Sequence, residues 1–361
     1  MKSNVLPPVT GTRYPSEVEG PDPGFIPFRP SELQVFRKRT RLPGPQWAEK
    51  HLHVPRGKFV GAYRNSNNPP LYGIMEWFTR RSIRTVVLAK GIQTGGTLAA
   101  YALLLREVDY AYAGDAALIV MADEKSGKKL SRKRLHPMIE GSPRLADLKS
   151  PNPDDFAMYA MQFRNGCVID LGWASSEMSV SSESYRVIIL DEISKYSVRG
   201  NIQDAKGRAT VYEDTKKIFI LSSPGVDSDD HRDPLMVELE QCDIIMEYRV
   251  ACPVCGKKQP LTFEQFRWPG QPELPGILAN DDPRQPLSAD PKQVRLYKQA
   301  RYECAGCGSL WDDYQRDRSV SAAMKTGWHP AGVDCPEGGP VSSPGGVGVF
   351  GVEEYFFQSF P

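Results

Sequence analysis

The chain lacks several signals, and each absence excludes a class. No apolar run approaches the roughly 20 residues that cross a bilayer as a helix. The opening stretch, "MKSNVLPPVTGTRYPSEVEGPDPG", has no apolar core of the kind a secretory signal carries. Charge of one sign is not in excess: 45 Lys and Arg stand against 44 Asp and Glu, a formal net charge of +1. That excludes a histone-like blanket of positive charge. A local groove for nucleic acid remains compatible with it, because only the local field matters. No internal repeat is visible. The expected compartment is therefore cytosolic, where the seven cysteines read as thiols or metal ligands rather than disulfides.

What is present describes a globular chain. Its 361 residues suffice for two domains, or for one large domain with an insert. With 40% hydrophobic and 25% charged residues it can bury a core. Residues 1 to about 30 are rich in Pro and Gly, show no periodicity, and suit an extended arm. From about residue 45 the pattern alternates. "LYGIMEWFTR" (71–80) suits a helix. "TVVLAK" (85–90), "ALIVMAD" (117–123), "CVIDLGW" (167–173), "RVIILDE" (186–192) and "KIFILSS" (217–223) read as short, nearly continuous apolar strands. Such strands, separated by helices, imply an α/β fold with a parallel sheet covered on both faces.

The first of these strands runs into "AKGIQTGGT" (89–97) and then into the apolar helix pattern "LAAYALLL". Strand, glycine-rich loop and helix, with the loop ending on Thr, is the layout of a phosphate-binding loop. The usual lysine before that Thr is missing, since the loop ends Gly95-Gly96-Thr97. Lys90 stands where the first glycine of the common motif would be, giving K-x-x-x-x-G-G-T. An ammonium on a flexible stem at the strand end reaches the same phosphates. Gly91, Gln93, Thr94, Gly95 and Gly96 then offer backbone N–H groups, and the helix start adds partial positive charge. Thr97 would give its hydroxyl to Mg²⁺.

"VIILDE" (187–192) supplies the complement. An apolar strand delivers Asp191 to its C-terminal edge, where open α/β sheets bind ligands. Asp191 is placed for Mg²⁺, and Glu192 for orienting and deprotonating the attacking water. Together the two stretches predict a P-loop ATPase of the type with a catalytic glutamate. A third strand ends on Ser222 and Ser223, whose hydroxyls are candidates for coupling to the γ-phosphate.

"CPVCGK" (252–257) and "CAGCGS" (304–309) are two C-x-x-C-G knuckles. One such pair could be redox-active. Two supply the four sulfurs of a structural Zn²⁺ site, predicting Cys252, Cys255, Cys304 and Cys307 as ligands of a zinc-ribbon-like unit with a long insert. Cys167 lies in an apolar strand and reads as core. Cys242 and Cys335 belong to neither knuckle.

In their order along the chain, these pieces resemble the large terminase subunit of tailed double-stranded DNA phages, in the branch related to the lambda packaging protein. The resemblance covers about residues 45 to 335. It rests on the displaced-lysine loop "KGIQTGGT", and on "SRKRLHPMIEGSPRL" (131–145) with Arg134, Pro137 and Met138 in place. "VIILDEI", "LSSP", and "YECAGCG" followed by "GWHP" complete it. Two positions depart. Some relatives have Arg where this chain has Gln93, and an aromatic often stands where Pro70 is, on the adenine side; Tyr63 and Tyr72 are neighbouring alternatives there.

The resemblance implies ATP-driven translocation of double-stranded DNA into a preformed capsid by a homo-oligomeric ring. The portal protein and a small terminase subunit would be its partners, in the host cytoplasm and transiently on the procapsid. An arginine donated across subunits would be Arg199 or Arg208. Competing readings are a superfamily-2-like helicase or remodeller, and a non-enzymatic zinc-containing DNA-binding or scaffold protein. The expected organisation is an arm (1–44), a motor domain (45–245), a zinc-ribbon-like unit with the four knuckle cysteines (246–335) and a strand or linker (336–361). In the family a nuclease follows the motor. Here Asp312, Asp313, Asp317, Asp334, Glu337, Glu353 and Glu354 follow the knuckles without a succession of strands to gather them. The expectation is ATP hydrolysis without DNA cleavage, by a truncated motor or the motor half of a longer protein.

Overall fold

The structure, a computed structural model, describes residues 40–91, 93–175, 183–198, 200–225, 232–269 and 290–331, and the backbone of 354–358. The expected arm lies almost wholly outside the described residues. Leu42–Pro361 form one compact unit, which carries the sheet and its helices.

Helices α1 (Gly44–His51) and α2 (Leu71–Phe78) precede strand β1 (Thr85–Ala89), and α3 (Gly96–Asp109) follows it. Next come β2 (Ala116–Met121) and α4 (Glu124–Leu130), then β3 (Ala160–Gln162) and β4 (Val168–Trp173). β5 (Val187–Asp191) leads through α5 (Gly200–Gly207) to β6 (Lys217–Ser222), and α6 (Pro234–Glu240) to β7 (Ile244–Ala251) and β8 (Lys258–Pro260). β9 (Phe266–Arg267), β10 (Arg301–Glu303) and β11 (Leu310–Trp311) make a small antiparallel sheet. α7 (Asp313–Ala322), β12 (Trp328–Pro330) and β13 (Glu354–Gln358) complete the order.

The five apolar runs become β1, β2, β4, β5 and β6, within a residue or two of their expected limits. They lie in one sheet of order β8-β7-β13-β1-β6-β5-β2-β4-β3, with β12 paired to β7. The sheet is mixed and mostly parallel, which corrects the expectation of a purely parallel one. β3 pairs antiparallel with β4, and β8 and β12 pair antiparallel with β7. The β3–β4 and β7–β8 connections are too short for a crossover helix, so the chain must turn back on itself.

Every residue of β1, β2, β5 and β6 is buried, as strands covered on both faces require. Alternation divides their side chains between two cores. Val86 and Leu88 point into one core with α3, while Val87 and Ala89 join Ile202 of α5 and Leu235 of α6 in the other. The first core also takes in Met246, Tyr248 and Val250, the inward residues of β7, with Tyr302, Trp311 and Trp328 from the cysteine-bearing segment.

At the N-terminal edge of the sheet lies a charged network. Arg186 Nη1 pairs with Glu107 Oε2 at 3.0 Å and Arg186 Nε with Asp115 Oδ2 at 2.9 Å, while Arg106 contacts Glu107 from the other side. Burial pushes the Glu107 carboxyl up; Arg106 and Arg186 more than offset that and hold it below its ordinary value. Replacing Glu107 with Ala removes the carboxylate between two buried guanidinium groups. The expected cost is about 3–5 kcal/mol of stability, read as a fall in the denaturant midpoint; an unchanged midpoint would contradict the role assigned to the network.

Candidate nucleotide site and cysteine cluster

The sheet register decides which strand ends meet. Ala89 is opposite Ser222, and Asp191 is opposite Leu221, so the C-terminal ends of β1, β6 and β5 lie side by side. Two backbone bonds extend the pairing past the strands: Lys90 N–H to Ser222 O (3.0 Å) and Glu192 N–H to Leu221 O (2.7 Å). Lys90 and Glu192 are thus positioned by the sheet itself, on either side of β6.

Their side chains meet. Lys90 Nζ donates to Glu192 Oε1 at 2.6 Å, with Lys90 only 5% exposed. Lys195 Nζ approaches the other carboxylate oxygen at 3.1 Å. Burial alone would raise the Glu192 carboxyl, but the hydrogen bond and charge of Lys90, with those of Lys195, hold it below its ordinary value. Asp191 behaves in the opposite way. Burial pushes its carboxyl up, and the Tyr101 hydroxyl and Lys90 offset this only in part.

The glycine-rich loop closes over this pair. Gly95 has φ +83°, and a Cβ there would collide with Asn68 Nδ2, so only glycine fits the turn. Gly96 starts α3, and a Cβ there would press on Lys90 Cδ at 2.9 Å. The second glycine therefore makes room for the displaced lysine stem. Thr94 Oγ1 donates to Gly91 O at 3.0 Å, bracing the loop. Gln93 (φ 64°) and Glu192 (φ 61°) both occupy the left-handed region. Non-glycine residues held there cost about 1–3 kcal/mol and cluster at functional sites.

Thr97 Oγ1 donates to Asp191 Oδ1 at 3.4 Å, and Tyr101 OH donates to Asp191 Oδ2 at 2.7 Å. Thr97 and Asp191 are the pair expected to face a divalent cation. Ser222, fully buried, accepts from the Ser194 N–H at 3.2 Å, which ties β6 to the turn after Glu192. Ser223 follows at the partly exposed strand end. Arg199 lies outside the described residues. Arg208 sits at the far edge of the sheet, where its carbonyl accepts from Tyr185 N–H (3.0 Å), about 20 Å of extended chain from Asp191. It does not face the loop of its own chain. Tyr63 is buried with its hydroxyl on Met75 Sδ (3.2 Å), and the Tyr72 ring lies under Lys325.

A second cluster lies where β7–β8 and β10–β11 turn. Cys252 Sγ is 3.9 Å from Cys307 Sγ, and Cys255 Sγ is 3.7 Å from Cys304 Sγ; all four sulfurs lie within 4.8 Å of one another. A tetrahedral ion bound to four thiolates sets sulfur–sulfur distances of about 3.8 Å, so the four sulfurs fit such an ion. Gly256 (φ +77°) and Gly308 (φ +68°) make the two knuckle turns.

An α/β sheet with a glycine-rich loop after β1 and paired acids at the end of β5, on either side of β6, is the arrangement of the P-loop class of domains. Residues 57–328 match the model of the phage terminase large subunit gpA, ATPase domain, and the chain belongs to that family. No curated protein is significantly similar to it. Solved structures similar to the chain include two phage terminases. The large terminase of HK97 bacteriophage has a TM-score of 0.43 at 14% identity, over 55% of this chain and 40% of that one. The large terminase ATPase domain of Thermus phage P74-26 has a TM-score of 0.33 at 12% identity, over 48% of this chain and 72% of that one. The similar region thus spans well under half of the HK97 protein.

Tyr101 was not singled out by the sequence, where it reads as one more buried side chain of "LAAYALLL". The signal was its spacing: four residues after Thr97, it shares that residue's helix face. A hydroxyl bond to a charged group contributes about 1.5–3 kcal/mol. Tyr101→Phe is expected to raise the Mg²⁺ concentration giving half-maximal ATP hydrolysis about tenfold, with the fold intact. An unchanged Mg²⁺ requirement would show that Tyr101 only packs.

Proposed function

We propose that this chain is the ATP-hydrolysing motor of a phage DNA-packaging terminase. The observation that carries the reading is the meeting of Lys90, Glu192, Asp191, Thr97 and Ser222 at three adjacent strand ends, in a chain of the gpA ATPase family. Lys90 rests on Glu192. The phosphates of ATP, cradled by residues 93–97, compete for the ammonium. As Lys90 turns to them, Glu192 loses its closest cation and its basicity rises toward that of an ordinary carboxylate. It then accepts the proton of the water that attacks the γ-phosphate. Mg²⁺, held by Thr97 and Asp191, would neutralise charge on the phosphates. Ser222 links the phosphate end of β6 to the turn carrying Glu192, a short route from hydrolysis to movement.

Lys90→Ala is expected to abolish hydrolysis with the fold intact. Glu192→Gln is expected to keep nucleotide binding and lower turnover by at least about 10²-fold. Wild-type turnover in the lysine variant would remove the displaced-lysine reading. Hydrolysis is measured with and without double-stranded DNA, the expected stimulating partner. Working as a homo-oligomeric ring docked on a portal in the host cytoplasm, with a small terminase subunit, extends the same reading. There Arg199 or Arg208 would complete a neighbour's site.

Cys252, Cys255, Cys304 and Cys307 would hold Zn²⁺ in a closed site. Its contribution is structural, a staple between two knuckles otherwise joined by the long segment from 256 to 303. Elemental analysis should find about one Zn²⁺ per chain. Cys304→Ser should release it and increase proteolytic access to residues 250–330. Metal-free protein with the same protection would contradict the assignment.

A further inference from the structure

A cleft of about 510 Å³ lies on the cysteine-bearing segment, between β7, β8 and α7. Sheet alternation sets one wall. Met246, Tyr248 and Val250 point into the core, so Arg249 and Ala251 point outward. Lys258 of β8 stands opposite Ala251, which puts its side chain on the same outward face. α7 forms the facing wall. Tyr314, Gln315, Arg318 and Ser319 are spaced three and four apart, so they share one side of that helix. Tyr248 fixes the helix to β7 by donating its hydroxyl to Val320 O at 2.8 Å. Cys252 and Pro253 of the first cysteine knuckle also line the cleft.

The charges in the lining have one sign. Arg249, Lys258 and Arg318 bring three cations from three elements, and no acidic side chain lines the cleft. Glu247 holds Arg249 Nε at 2.6 Å from outside it. Lys258 and Arg318 are exposed, and neither pairs with an acid among the described residues. The nearby acids of α7 are engaged elsewhere: Asp313 and Asp317 hold Arg316, at 2.8 and 2.7 Å. Burial, and then the charges of Lys258 and Arg249, keep the His329 ring below its ordinary value, so the positive field extends into the sheet.

The neutral groups fit the same ligand. Tyr314, 71% exposed, stands with Gln315, Ser319 and Thr326 among the lining residues. Cations interleaved with hydroxyl and amide donors are the set that contacts phosphate oxygens of nucleic acid. A small free anion gains little from cations that stay in water, where salt screens them. A polyanion gains more, because each phosphate neutralised releases condensed counterions. The near-zero net charge of the chain leaves such local patches to supply the attraction.

We propose that this cleft seats a backbone phosphate of double-stranded DNA, contacted by Lys258 and Arg318 with Arg249 fixed behind them. The inference rests on the DNA-packaging reading. It adds where the duplex touches this chain: on the cysteine-bearing segment, outside the nucleotide site, through a contact that reads no sequence.

The test is fluorescence anisotropy of a labelled duplex titrated with the full chain over a range of salt concentrations. The double variant Lys258→Ala, Arg318→Ala should bind about tenfold more weakly. Its plot of log affinity against log salt should be shallower by about 1 for each contact removed. Basal ATP hydrolysis without DNA should not change. The charge-keeping pair Lys258→Arg, Arg318→Lys should retain the wild-type slope. So should Lys292→Ala, Arg295→Ala, which removes the same charge from exposed positions of this segment outside the cleft. Wild-type affinity and slope in the double alanine variant would overturn the site. Equal loss in the Lys292, Arg295 control would reduce the effect to net charge and overturn it as well. Titration with inorganic phosphate is the second arm: saturable binding lost in the double alanine variant, with DNA affinity unchanged, would make the cleft a small-anion site instead. A wild-type chain that binds no duplex would overturn the packaging reading beneath the proposal, and the cleft's role with it.

Discussion

The contact between Lys90 and Glu192 organises this molecule. Two opposite charges are held 2.6 Å apart at the end of a buried sheet, with the lysine almost removed from water. Glu192 stays partly exposed and keeps Lys195 as a second cation, so Lys90 can leave it for another anion without stranding a buried carboxylate. A triphosphate is such an anion. The features around the pair would allow that exchange. Gly96 leaves space for the lysine stem, the left-handed backbone at residue 192 aims the carboxylate back over β1 and β6, and Lys195 keeps a second cation near it. In the proposed mechanism one interaction joins fold to chemistry: the lysine paired with Glu192 would be the group that the substrate recruits.

Much of this was legible in the sequence, for physical reasons. Strands buried on both faces are continuous apolar runs, so β1, β2, β4, β5 and β6 declare themselves by composition. Counting back from Gly95 locates Lys90 because loop length is fixed by the geometry of a strand-to-helix turn. The strand end locates Asp191 and Glu192 by the same logic. The features that were not legible depend on contacts between distant segments. "IIMEYRVA" alternates as a strand should, but nothing local says that β7 joins the central sheet, with β8 and β12 antiparallel beside it. Tyr101 is hidden because a tyrosine inside an apolar helix is usually core. Its role appears only once Asp191 lies 2.7 Å from its hydroxyl.

The two clusters are mechanically connected. The cysteine knuckles terminate β7 and border the small sheet of β9–β11, and α7 comes after it. Tyr248 and Trp328 run from that segment into the core shared with α2, whose start lies against the loop at Asn68 and Gly95. A metal that orders the knuckles would thereby order the segment packed against α2. In the proposed motor such rigid connections would matter, since a change of phosphate state is useful only if it displaces something that does not simply relax. Ser222 provides the matching link on the other side, through the Ser194 N–H.

The most direct test of this account is a crystal structure of the chain with Mg²⁺ and a non-hydrolysable ATP analogue. The account predicts that Lys90 Nζ leaves Glu192 and contacts the β- and γ-phosphates, with the carboxylate of Glu192 turned to a water in line with the γ-phosphorus. A bound analogue with Lys90 still paired to Glu192, and its phosphates held by other cations, would contradict it.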